Sequence, residues 1–183
     1  MLKIISTEIP DVKVLIPQKH YDGRGFFCEV YNRRAFFADE DVEFVQDNWA
    51  WNSSIGTVRG LHFQAPPYDQ AKLVWVPYGV ILDVAVDLRK SSPTYGKHVS
   101  VELCGDNGKQ LFVPRGFAHG YVTRADRTVV IYKVSNYHYP SHDYGLAWND
   151  PALGIDWGFK SRPILSKKDK HHPTLDKLPT YFE

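Results

Sequence analysis

Val80-Ile81-Leu82-Asp83-Val84-Ala85-Val86-Asp87-Leu88 is the stretch that decides the fold class. Successive side chains of an extended chain point to opposite faces. Val80, Leu82, Val84, Val86 and Leu88 then form one wholly apolar face. Ile81, Asp83, Ala85 and Asp87 form the other, with two carboxylates set among apolar groups. This period of two, in a run of branched residues, predicts a strand.

Similar short runs lie on both sides of it. Upstream are Val12 to Ile16, Phe26 to Tyr31 after the turn Asp22-Gly23-Arg24-Gly25, Val42 to Trp51, Thr57 to Gln64 and Lys72 to Pro77. Downstream are His98 to Leu103, Gln110 to Val113, Phe117 to Thr123 and Thr128 to Ser135. About ten short strands separated by turns predict an all-β sandwich or barrel such as a jelly roll. Asn32 to Glu40 is the best helix candidate, with Asn32 as its N-cap. After Tyr139 the pattern breaks, punctuated by Pro140, Pro151, Pro163, Pro173 and Pro179. This tail is expected to pack on the barrel, so residues 1–183 read as one domain.

Composition narrows the function classes. A formal charge of +1 gives no bulk attraction to nucleic acid or membrane. No apolar run approaches the ~20 residues of a membrane helix, and Met1 to Pro10 carries no secretory apolar core. Two cysteines, Cys28 and Cys104, are too few for a disulfide framework and read as small buried residues in a reducing compartment. A cytoplasmic protein is expected.

Two histidines stand out by context: His62 in Val58-Arg59-Gly60-Leu61-His62-Phe63-Gln64, and His119 in Pro114-Arg115-Gly116-Phe117-Ala118-His119-Gly120-Tyr121. Either alone fits a structural strand histidine. The second segment has the form Pro-x-Gly-x-x-His and resembles the second motif of cupins, which are jelly rolls. A metal-binding cupin would carry His-x-His and a glutamate in the first motif; here His62-Phe63-Gln64 is followed by Ala65-Pro66-Pro67-Tyr68-Asp69. That donor set is weak for a divalent ion, so no metal or cofactor is expected and His62 is free to act as a base. Imidazole titrates near neutral pH and suits proton abstraction. Abstraction from carbon also needs a cation or donors at the enolate oxygen, for which Lys72 is a candidate. Inversion needs an acid on the opposite face, for which Tyr132 is a candidate. Alone, Lys72 also reads as a solvated strand-edge lysine and Tyr132 as a core aromatic.

Many segments recur together in order. They are Asp22-Gly23-Arg24-Gly25-Phe26-Phe27 with Glu29, Gln46-Asp47-Asn48, Arg59-Gly60-Leu61-His62-Phe63-Gln64, Lys72-Leu73-Val74, Asp83 to Arg89, Ser92-Pro93-Thr94-Tyr95-Gly96, Pro114 to Gly120, Tyr132-Lys133 and Trp148-Asn149-Asp150-Pro151. In these the chain resembles the dTDP-4-dehydrorhamnose 3,5-epimerase family from near Ile4 to about Asp176. The resemblance implies a cupin-like jelly-roll barrel with short peripheral helices. It also implies inversion at C3 and C5 of dTDP-4-dehydro-6-deoxy-D-glucose to dTDP-4-dehydro-L-rhamnose, a step toward dTDP-rhamnose and cell-surface polysaccharide.

The same resemblance implies His62 as base, Asp169 as its dyad partner, Lys72 as enolate stabiliser and Tyr132 as acid. It gives Arg24, Glu29, Gln46, Asn48, Arg59, Asp83, His119, Asp143 and Lys168 to substrate binding. It further implies a homodimer, through an N-terminal exchange strand at about 1–17 that brings residues near Arg24 to the partner's pocket, with the barrel at about 24–135 and the packing segment at 136–183. Asp169, in Lys167-Lys168-Asp169-Lys170, would otherwise read as part of a solvated charge run.

Two departures from relatives stand out: His138, where tyrosine is commoner, and Trp49-Ala50-Trp51, where smaller polar residues are. Both are expected to alter the pocket. The alternatives are an epimerase acting at C3 only or C5 only, a metal-dependent cupin enzyme and an inactive sugar-nucleotide binding module. Arg59 and His62 have opposite parity, so both face one cavity only if Gly60 marks a bulge or Arg59 sits at the rim.

Overall fold

From Gln46 onward, consecutive strands switch between two facing sheets. In the computed structural model, which describes residues 2–36, 42–159 and 162–183, one sheet holds six strands. They are β1 (Lys3–Ser6), β2 (Lys13–Ile16), β10 (Gln110–Val113), β7 (Lys72–Tyr78), β12 (Thr128–Val134) and β5 (Gln46–Asn52), in that order. The facing sheet runs β13 (Asp143–Gly145), β6 (Val58–Gln64), β11 (Phe117–Thr123), β8 (Val80–Asp87) and β9 (His98–Cys104). Only β8 to β9 stays within one sheet. At Gly79 the chain turns from β7 into β8 with φ +87, and a methyl group there would collide with Thr128. Glycine is needed at that corner on both counts. The result is the all-β, cupin-like jelly roll that the sequence predicts.

Three apolar clusters follow from the sheets. Ile81 and Ala85 point between the sheets and meet Val74, Val76, Leu111, Phe117, Tyr121 and Val130. Leu82, Val84, Val86 and Leu88 point outward under the tail, against Leu146, Leu153, Trp157 and Phe182. Both faces of β8 are therefore buried, which is why its sequence is so uniformly apolar. Asp87 is tolerated there because Arg89, Ser92 and Thr94 donate to it; this gives Ser92-Pro93-Thr94 a structural role. The third cluster, Leu15, Leu73 and Phe112, lies on the outside of the six-stranded sheet beneath Phe36.

The differences from expectation are local. The helix covers Arg33–Phe36, with Asn32 Oδ1 accepting from the Arg34 amide; residues 37–40 of the expected Asn32 to Glu40 helix lie outside the described residues. Strand β5 begins at Gln46 rather than Val42, because Val42 and Phe44 turn to pack on the outer cluster. Both cysteines are half-buried free thiols rather than buried ones. Strands β3 (Lys19–Asp22) and β4 (Gly25–Cys28) form a hairpin outside both sheets. Its Tyr21, Phe26 and Phe27 are exposed.

Candidate active site

The irregularity expected at Gly60 is present. His62 pairs with His119 and Arg59 with Tyr121, so Gly60 and Leu61 together oppose Gly120. Gly60 has φ +136, and a methyl group on it would run into the Gly120 backbone. The bulge lets Val58 and Leu61 both enter the outer cluster, while Arg59 and His62 both turn toward the space between the sheets. Arg59 also sits at the rim. Its Nε donates to Asn52 Oδ1 at 2.8 Å, which ties β6 to the edge strand β5 of the other sheet.

His62 forms one wall of the site. Its Nε2 lies 2.6 Å from Asp169 Oδ1, and the carboxylate is only 4% exposed. An anionic partner fixes Nε2 as the protonated nitrogen and leaves the Nδ1 lone pair as the basic one. Burial pushes the Asp169 carboxyl up, but the nearby His172 and the bonds from His62 and Ser166 more than reverse this. It stays well below the usual carboxylate range and remains an anion beside the imidazole.

The facing wall comes from the six-stranded sheet. Tyr132 is in register with Val74 on β7 and Asn48 on β5, and Val134 with Lys72 and Gln46. Residues directly opposite across strands share a face, so Lys72, Tyr132, Gln46 and Asn48 line one surface. Gln46 Nε2 donates to Asn48 Oδ1 at 2.9 Å. Burial pulls the Lys72 ammonium down to about 8, against the opposing pull of Asp143 and Asp83. Burial also raises the Tyr132 phenol, which Arg59 partly offsets. At neutral pH Lys72 is thus a cation and Tyr132 a protonated acid.

Asp83 is fully buried. Its Oδ1 lies 2.7 Å from His119 Nε2, and its Oδ2 has no hydrogen-bond partner among the described residues. Asp143 Oδ2 accepts from Lys168 Nζ at 2.6 Å. Eleven of the thirteen site residues predicted from sequence therefore gather around one space. The two exceptions are Arg24 and Glu29. Arg24 stands on the exposed hairpin bonded to Asp22, and Glu29 lines a separate groove with Pro17, His20 and Phe36.

The expectation that Trp49 and Trp51 shape the pocket is corrected. They alternate with Asn48 and Ala50, so they face outward, where Trp49 is 75% exposed. His138 lies near the rim, its amide donating to Gln46 Oε1. Three contributors escaped the sequence reading. Asn52 holds both Arg59 and the Tyr121 hydroxyl, Tyr121 stands in register with Asp83, and His172 lies against Asp169. Only the adjacent pair His171-His172 hinted that the charge run was more than a solvated loop.

The ligand atoms of His62, Asp169 and His172 lie within 4.8 Å of one another. The two that an ion would need first, His62 Nε2 and Asp169 Oδ1, are committed to each other. Gln64 is spent as well. Its amide donates to the carbonyls of Tyr68 and Tyr137 and accepts from the Tyr139 amide. The donor chemistry is that of a hydrogen-bonded acid–base site.

Residues 6–177 match the family model described as dTDP-4-dehydrorhamnose 3,5-epimerase. A dTDP-4-dehydrorhamnose 3,5-epimerase of Sinorhizobium fredii is 49% identical, over 97% of this chain and 92% of its own. The crystal structure of a dTDP-6-deoxy-D-glucose-3,5-epimerase of Legionella pneumophila, in complex with dTDP-4-keto-L-rhamnose, superposes with TM-score 0.94 at 37% identity, covering 98% of this chain and 95% of the other. A dTDP-4-dehydrorhamnose 3,5-epimerase of Bacillus anthracis, with TDP and pyrophosphate bound, gives 0.91 at 46% identity over 95% and 99%.

Proposed function

The chain belongs to the dTDP-4-dehydrorhamnose 3,5-epimerase family, and on that premise we propose that it converts dTDP-4-dehydro-6-deoxy-D-glucose to dTDP-4-dehydro-L-rhamnose. The observation that carries this reading is the placement of His62, paired with Asp169 of the tail, on one sheet and of Tyr132 with Lys72 on the other. A carbon next to a ketone between these walls meets a base on one face and an acid on the opposite face. His62 Nδ1 takes the proton from C3 or C5, and the electron pair moves into the C4 carbonyl as an enolate. The Lys72 ammonium stabilises the oxygen. The Tyr132 hydroxyl returns a proton to the far face, which inverts the carbon. Both carbons flank the same ketone, so one base and one acid serve both after the sugar turns. No redox cofactor enters, because the substrate arrives oxidised.

Arg59, His119 and Lys168 supply positive or donor groups for the diphosphate, while Gln46, Asn48, Asp83 and Asp143 offer polar contacts to the sugar and base. The exposed hairpin supports a homodimer. Its tip Arg24, flanked by Phe26 and Phe27, has a side chain 91% exposed, and Glu29 follows it. Docked against a second copy, these residues reach that copy's pocket. Strand β1 pairs with β2, and β2 with β10; exchange of this N-terminal segment, about 1–17, between two copies would carry the hairpin that follows it to the second copy. Among the described residues no helix is long and apolar enough to cross a membrane, in keeping with a cytoplasmic site of action.

The test is proton NMR of the dTDP-4-keto sugar with the enzyme in deuterated water. Deuterium entering both C3 and C5, with inversion at both, is the expected result. Exchange confined to one carbon refutes the two-carbon assignment.

A further inference from the structure

His172 is explained neither by the fold nor by the roles given above. Its ring is buried, with a side chain 8% exposed. It lies on the backbone of Gly145, where a methyl group would collide with Cε1, Nδ1 and Nε2 of the imidazole. Gly145 has no left-handed φ, so the glycine makes room for the ring rather than for a turn. Gly145 is itself in register with His62. The two imidazoles meet edge to face, with centroids 5.5 Å apart and planes at 79°. His172 Nε2 is 3.5 Å from Asp169 Oδ1, the oxygen that His62 Nε2 approaches to 2.6 Å. At 3.5 Å the contact is electrostatic rather than a formed hydrogen bond, and Nε2 has no other partner among the described residues.

Resting on the assignment of His62 as base, we propose that His172 is a positioning residue that tunes that base through Asp169. Its Nε2–H draws on the charge of Oδ1, and its ring edge holds the plane of the His62 imidazole. An Asp169 that shares its charge stabilises the His62 imidazolium less, so the base stays free of its proton at lower pH. Other charged or titratable groups on the elements packed there are Arg59 on β6, His119 and Asp83 on β11 and β8, Lys72 on β7, Tyr132 on β12, Tyr144 on β13, the Asp143–Lys168 pair, and Lys167, Lys170 and His171 in the turn that carries Asp169.

The experiment compares H172F and H172Q with the wild-type enzyme. Phenylalanine keeps a flat ring over Gly145 and loses the donor. The Nε2 amide of glutamine falls near the position of the imidazole Nε2 and restores a donor. In H172F the acid limb of kcat/KM is expected to move up by ~0.5 pH unit, so the rate at pH 6 falls about threefold while the rate near pH 8 holds. In H172Q the limb is expected to return toward wild type. NMR of the histidine side chains then follows the midpoint of the His62 titration independently of turnover. A midpoint that moves in H172F and recovers in H172Q supports the tuning role. A midpoint and limb unchanged within 0.1 unit, or equal losses at every pH in both variants, overturn it. The base assignment is tested separately: H62A exchanging at the wild-type rate defeats that assignment, whatever H172F does.

Discussion

Lys72→Met should strengthen the fold while destroying the activity, and the size of the gain should depend on pH. Lys72 is 8% exposed and held at about 8 instead of 10.5 by burial. A depression of 2.5 units corresponds to roughly 3 kcal/mol of destabilisation while the ammonium is charged in both states. Methionine occupies a similar volume without that cost. That figure is already net of the attraction of Asp143 and Asp83; methionine set in this polar wall recovers only part of it, so the net gain at pH 7 should be smaller, on the order of 1–2 kcal/mol.

The pH dependence separates these terms. Between 8 and 10.5 the folded protein has released the Lys72 proton while the unfolded chain still holds it. The unfolded state binds more protons there, so wild-type stability rises with pH relative to the variant. The gap between K72M and wild type should shrink by about 1.4 kcal/mol per pH unit, or about 2 kcal/mol by pH 9.5. Urea unfolding at pH 7, 8.5 and 9.5, at one protein concentration, measures it. A gap that stays constant across that window would refute the buried ammonium.

Other variants test the remaining parts. H62A should abolish deuterium uptake at both C3 and C5. Y132F keeps the base and loses the acid, so inversion measured by NMR should fall by about 10² to 10⁴ while solvent exchange persists. D169N should be milder than H62A in the same assay, because the imidazole remains with weaker orientation. N52L leaves Arg59 without its 2.8 Å anchor, and titration with dTDP should show weaker binding with the exchange chemistry less affected.

The fold was legible because the strands announce themselves by alternation and their turns by glycine and proline. Even the parity conflict between Arg59 and His62 pointed to the bulge at Gly60. What escaped depends on faces and on distance in the chain. Trp49 and Trp51 look like pocket residues in a linear reading because they follow Gln46-Asp47-Asn48; register alone turns them outward. Asp169 is 107 residues from His62 in sequence, and nothing in Lys167-Lys168-Asp169-Lys170 predicts that its carboxylate is buried. Only the family resemblance joined the two. Asn52 and His172 were missed for a related reason. Each acts by holding another residue, and that role exists only once the two sheets and the tail have come together.

The alternation of strands between sheets is also what makes a two-faced reaction available to this chain. His62 and Lys72 lie close in sequence, yet β6 and β7 belong to different sheets. The chain from β11 to β12 crosses in the same way, placing His119 beside His62 and Tyr132 beside the wall that carries Lys72. A simple hairpin would have set such pairs on one surface, where a base can remove a proton and return it but cannot invert the carbon. The tail then supplies the partner of His62, the proposed base. It buries the outer face of β6 and β8 with Leu153 and Trp157, and its Ser166–His172 turn brings Asp169 to His62. Packing on the outside of the sheet and proton transfer on the inside thus depend on the same segment, and loosening the first should weaken the second.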